Sequence, residues 1–175
     1  KNNIFKVYKN INPIFQISLH EECKSVFFKN QLSLTKDYLV CMYDGFVERE
    51  SELNSLIEKS MSNNNIPILL VCRGISDFAV TNIKKLILTH KIQIFPYISK
   101  FDNNDPFLFE DLEKTLGIKG YKLESGDNLY KKLSENSEVK KLKLKTNSIE
   151  ILNNQGELLK KEIVNSLKNI DNKDI

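Results

Sequence analysis

Tryptophan is absent from the 175 residues, and arginine occurs only at Arg49 and Arg73 although lysine and arginine together number 26. Phosphate and base-edge readers lean on the planar fork of arginine. A net charge of +3 carried almost wholly by lysine therefore argues against a dedicated nucleic-acid surface. The abundance of Lys, Asn and Ile resembles AT-rich codon usage, which speaks of a genome rather than a site. Histidine is confined to His20 and His90, with no HExxH and no Cys/His cluster, so the usual zinc patterns are missing. Cys23, Cys41 and Cys72 are odd in number and lack CxxC spacing. Cys41 and Cys72 fall in the apolar runs YLVCMY and ILLVC, as expected of core thiols in a reducing compartment. No run reaches the roughly 18–20 apolar residues of a membrane helix. The opening KNNIFKVYKN has neither an apolar h-region nor a small-residue cleavage site. It starts without Met and in mid-pattern, as expected of a piece of a longer protein.

What is present is enough for one domain with a real core. Residues 4–18 alternate loosely around Asn12-Pro13 and predict a loop or edge strand ending in IFQISL. SVFF (25–28) predicts a short strand, and YLVCMY (38–43) a buried one before the turn Asp44-Gly45. Leu53, Leu56, Ile57 and Met61 share one helix face. The polar run Asn63-Asn64-Asn65 stops that helix. ILLV (68–71) is a buried strand, and Ser76 or Asp77 caps a helix over about 77–89 carrying Ala79, Ile83, Leu86 and Ile87. KIQIFPYI (91–98) is a further strand. Asp105-Pro106 opens a helix with Phe109, Leu112 and Leu116 inward, ended by Gly117. KGYKL (119–123) predicts a strand, and Asp127 opens a short helix carrying Leu129, Tyr130 and Leu133. VKKLKLK (139–145) and IEIL (149–152) read as a hairpin. Leu158, Leu159, Ile163, Leu167 and Ile170 make the stripe of a closing amphipathic helix. The order predicts an α/β domain with a partly parallel central sheet, flanking helices and an added β-hairpin.

The strand–turn–helix IPILLVCRGISDFAVTNIKKL (66–86) invites a phosphate-binding reading. A P-loop needs GxxxxGK[ST] and a dinucleotide turn needs GxGxxG. CRGISDF has one glycine and an acid, Asp77, where phosphate would sit. There is no GxSxG elbow either. Asp44 and Asp77 follow strands, where a Mg²⁺-dependent α/β enzyme would place carboxylates, yet turn and cap roles account for both. In KKLKLK the lysines alternate with leucines, as on the wet face of an amphipathic strand. A small enzyme and a lysine-rich nucleic-acid binder stay as competing readings.

Four segments, in order, resemble the apical domain of group I chaperonins, the GroEL-like family. INPIF (11–15) is similar to the family's LSPYF. YLVCMYDGFVERESELNSLIEKS (38–60) resembles its first strand, turn and helix, IPILLVCRGISDFAVTNIKKL its second, and KIQIFPYISKFDNNDPFLFEDLEKTLG (91–117) its strand, loop and helix. The resemblance spans nearly all 175 residues as a single apical domain.

The resemblance implies a shallow groove between two helices and the INPIF segment. It would bind exposed apolar stretches of non-native polypeptides and the mobile loop of a ring co-chaperonin, without catalysis in this chain. Carried over residue by residue, the groove positions are Asn10, Asn12, Ile14, Phe15, Leu53, Leu56, Val80, Lys84 and Lys85. The family has Val at the last two and an aromatic residue at Asn10. The two lysines imply a groove less apolar than the family norm, suited to acidic-apolar segments or a restricted client set. ATP and Mg²⁺ would belong to an equatorial domain whose motifs do not occur here, so this chain would need no cofactor or metal. The intact protein would be a homo-oligomeric ring that takes neither nucleic acid nor membrane as partner. It would work in an organelle matrix, plastid-like or mitochondrial, rather than a bacterial cytoplasm.

Overall fold

The runs YLVCM, ILLVC and IFPYI each send alternate side chains to opposite faces of one sheet, the consequence of the two-residue strand period. The computed structural model describes residues 12–102, 104–128, 132–152 and 166–168. In chain order its elements are β1 (Ile14–Phe15), β2 (Ser18–Leu19), α1 (Glu21–Phe27), β3 (Leu34–Met42), β4 (Phe46–Val47), a 3-10 turn (Glu50–Leu53), α2 (Asn54–Ser62), β5 (Ile68–Cys72), β6 (Gly74–Ile75), α3 (Asp77–His90), β7 (Ile94–Ile98), α4 (Leu108–Leu116), β8 (Glu138–Lys145) and β9 (Ser148–Ile151). The main sheet runs β1-β9-β8-β3-β5-β7-β2. Its centre, β3-β5-β7, is parallel, and the outer pairings are antiparallel. This is the expected mixed α/β architecture. A second small pairing, β4 with β6, is parallel.

The strand alternation builds two cores. Tyr38, Val40, Met42, Leu69, Val71, Phe95 and Tyr97 face one, with Cys23 and Phe27 of α1 and Phe109, Leu112 and Leu116 of α4. Leu39, Cys41, Ile68, Leu70, Cys72 and Ile94 face the other, with Leu53, Leu56, Ala79 and Ile83. All three cysteines are free and buried, and burial pushes the Cys72 thiol up to about 12.

The sheet closes on itself. β1 pairs with one edge strand and β2 with the other, with only Gln16 and Ile17 between them. The Leu19 amide also donates to the carbonyl of Thr146 at 2.9 Å, and the Tyr97 hydroxyl donates to the Lys145 carbonyl. A short N-terminal segment thus covers both sheet edges, which would otherwise expose unpaired backbone. The hairpin lysines on the open face are matched by register: Lys141 lies opposite Asp37, and Lys143 opposite Glu150.

Three local expectations change. SVFF is not a strand: its first three residues close α1, with Phe28 as the C-cap, because His20 Nδ1 accepts the Glu22 amide and Cys23 and Phe27 sit one helical turn apart on the core. The helix after Asp105-Pro106 begins only at Leu108. KGYKL contributes a single bridge, Tyr43 to Tyr121, rather than a strand. Leu129, Tyr130 and most of the expected closing helix, including Leu158, Leu159, Ile163 and Ile170, lie outside the described residues. Elsewhere the caps are as expected. Ser76 Oγ accepts the Ala79 amide at 3.1 Å, and Gly117 ends α4 at φ 69°.

The segment after α4 is stapled by Asp127. One carboxylate oxygen accepts the Tyr121 hydroxyl at 2.8 Å and the Glu124 amide at 3.1 Å. The other accepts Lys132 Nζ at 2.8 Å. Lys132 first, then Tyr121 and the Glu124 amide, lower the carboxyl from its ordinary 3.8 to about 2. A carboxyl depressed by folding stabilises the fold fully above its ordinary value and loses that contribution as pH falls through about 2. Asp127→Asn is therefore expected to be less stable than the parent at neutral pH. The gap should narrow between pH 4 and pH 2 in urea titrations; a pH-independent gap would contradict the charge role of Asp127.

Candidate functional site

Where the chain leaves β5 and β7 at their carboxyl ends, a cleft of about 940 Å³ opens. Its walls come from residues 16–21, from Phe46, from Arg73–Ile75, from Ile98, and from Lys100, Phe101, Asp102, Asn104, Asp105 and Leu108. Phe46 and Phe101 stand 61% and 77% exposed on these walls.

Arg73 organises the cleft. Its Nε donates to Asp44 Oδ1 at 2.7 Å, and Nη1 to the Ser99 carbonyl at 3.3 Å and hydroxyl at 3.4 Å. Its guanidinium lies 4.3 Å from the Phe101 ring centre and 4.5 Å from that of Phe109. Only 10% of the side chain is exposed, so the charge is held by a carboxylate and two π faces rather than by water. Gly74 follows because the Phe46 ring lies over it: a Cβ there would come within 2.2 Å of that ring. The Arg73-Gly74 pair is thus a device for holding two phenylalanines at the surface.

The residues selected by resemblance fall into separate places. Leu53, Leu56 and Val80 are core residues with no exposed surface, not groove walls. The reason is supply. α2 reads NSLIEKSMS, and with so few apolar residues the Leu53/Leu56 turn must face the sheet for the helix to pack at all. α3 is apolar over a broad arc, so Ala79 and Ile83 enter one core while Val80 enters the other. Met61, expected on the inner face of α2, is exposed. Ile14 is 56% exposed, and Phe15 packs partly on the core. Asn12 and Lys85 are exposed and Lys84 half-buried, and Lys84 approaches Glu22 at 3.8 Å. Asn10 lies outside the described residues. None of the described ones lines the cleft.

Sequence reasoning missed Phe46, Phe101 and the Arg73 assembly. A signal was available for Phe101, an aromatic residue in the otherwise polar SKFDNN, whereas Phe46 sits beside the core residue Val47 in β4. Phe78, 64% exposed at the start of α3, is a further accessible aromatic residue that was missed. Asp44 is committed to Arg73, and Asp77 is exposed in the first turn of α3. Among the described residues no three His, Cys, Asp or Glu side chains gather as metal ligands do.

No protein-family model and no curated protein matches this sequence. Solved structures do. The chaperonin gp146 of bacteriophage EL 2 (Pseudomonas aeruginosa), crystallised in the presence of ATP-BeFx, is similar over 90% of this chain and 31% of its own, with a TM-score of 0.54 at 15% identity. A second crystal form gives 91%, 32%, 0.54 and 14%. The fold is therefore chaperonin-like, and the chain spans about a third of the length of that protein.

Two expectations follow. Leu56→Ala should cost about 3 kcal/mol of stability in urea denaturation, as befits a core side chain; a cost near zero would return Leu56 to the surface. Arg73→Met should cost about 2 kcal/mol by stranding Asp44. Arg73→Lys should recover only part of that, since an ammonium has no planar fork, and full recovery would show that charge alone matters.

Proposed function

We propose that this chain is the polypeptide-binding domain of a chaperonin, taking exposed apolar segments of non-native proteins into the cleft at the ends of β5 and β7. The observation that carries the reading is the pair of exposed phenylalanines, Phe46 and Phe101, on the walls of one open cleft, within a chaperonin-like fold. An apolar wall suits a promiscuous binder. Burial contributes about 25 cal/mol per Å² whatever the order of residues presented, and each aromatic ring offers some 150–250 Å². In the intact protein the domain would belong to an oligomeric ring driven by ATP and Mg²⁺ bound elsewhere, with a ring co-chaperonin competing for the same surface. Ile14 and Lys85, both accessible, would extend the contact beyond the cleft, and no catalysis is assigned to this chain.

The test is fluorescence anisotropy with a labelled peptide of alternating Leu and Thr. Phe46→Ser/Phe101→Ser should weaken binding at least tenfold, since each ring is worth about 1.5 kcal/mol or more on burial, while circular dichroism stays unchanged. Peptide binding that ignores the double substitution would move the site elsewhere. No binding by the parent chain would overturn the reading.

A further inference from the structure

We propose that the cleft selects segments in which Lys or Arg accompanies aromatic or branched apolar residues, an inference that rests on the polypeptide-binding reading above. It reverses the preference for acidic-apolar segments implied by Lys84 and Lys85, because neither lysine lines the cleft and Lys84 is turned toward Glu22.

The balance of charge at the cleft is set residue by residue. Arg73 adds no free cation, since Asp44 holds its Nε and Ser99 its Nη1. Glu21 adds no free anion. Lys24 bonds it at 2.8 Å and is the main reason the carboxyl stays below its ordinary range, with smaller help from His20 and Lys100. His20 Nδ1 is occupied by the Glu22 amide. That leaves Lys100 against Asp102 and Asp105, all three exposed at the cleft around Phe101 and without an ion-pair partner among the described residues, so that carboxylates outnumber ammonium groups there. Among the described residues Asp102 accepts the nearby Asn104 amide alone. With two carboxylates against one lysine beside an exposed ring, the loop suits an ammonium or guanidinium carried on an apolar segment: the charge meets the carboxylates while its neighbours cover Phe46 and Phe101. Both aspartates being exposed, the preference is a matter of modest, salt-screened attraction.

The experiment compares two labelled peptides with identical Leu and Phe positions, one with Lys and one with Glu at every spacer, at low and high salt. The Lys peptide is expected to bind about tenfold more tightly at low salt. That ratio should fall toward one in 0.5 M salt and in Asp102→Asn/Asp105→Asn, and Phe46→Ser/Phe101→Ser should weaken both peptides. Equal binding of the two peptides, with the phenylalanine dependence kept, would overturn the charge selectivity and leave the polypeptide-binding reading standing. Tighter binding of the Glu peptide would likewise overturn it. Failure of both peptides to bind would remove the reading and the selectivity together. Concentration-dependent self-association by sedimentation that Phe46→Ser/Phe101→Ser abolishes would make the occupant a second copy of this chain and overturn the proposal.

Discussion

A largely buried guanidinium must find a carboxylate, carbonyls or aromatic faces, because water no longer serves it. Arg73 finds all three. Asp44 comes from the turn after β3, Ser99 from the end of β7, Phe101 from the loop beyond it and Phe109 from α4. One side chain therefore ties the ends of the three parallel strands to a helix on one face of the sheet and to a surface ring. The Phe101 wall of the cleft is held by that tie, with the guanidinium 4.3 Å from the ring centre.

The closure of the sheet is the second constraint on the site. The segment that pairs with both edges also supplies residues 16–21 of the cleft wall. Edge protection and site construction are done by the same residues. A cleft that stays open needs rigid walls, and here the walls are backbone-bonded strands on one side and the Arg73 assembly on the other. A chaperonin-like fold thus offers an accessible apolar surface at a place other than the helix-lined groove that the sequence resemblance suggests.

The residues expected in that groove show where pattern reading reaches its end. Leu53 and Leu56 have the spacing of a helix face, and the spacing is real, but whether that face meets solvent or sheet depends on how much other apolar surface the helix owns. α2 owns little, so both leucines go inward. Val80 follows the same logic on α3, where two cores compete for one helix. SVFF reads as a strand because three apolar residues adjoin, and only the Cys23–Phe27 spacing and the His20 cap reveal the helix.

The amino-acid sequence by itself determined the three central strands, the stop at Asn63-Asn64-Asn65, the caps at Ser76 and Gly117, the buried cysteines and the closing hairpin. Each rests on periodicity or on a backbone preference expressed within a few residues. Tertiary structure alone decided the closing of the sheet, the inward turn of Leu53, Leu56 and Val80, and the cleft with its exposed phenylalanines. Those features depend on partners far apart in the chain, above all on which carboxylate and which rings surround Arg73, and no local pattern encodes that choice.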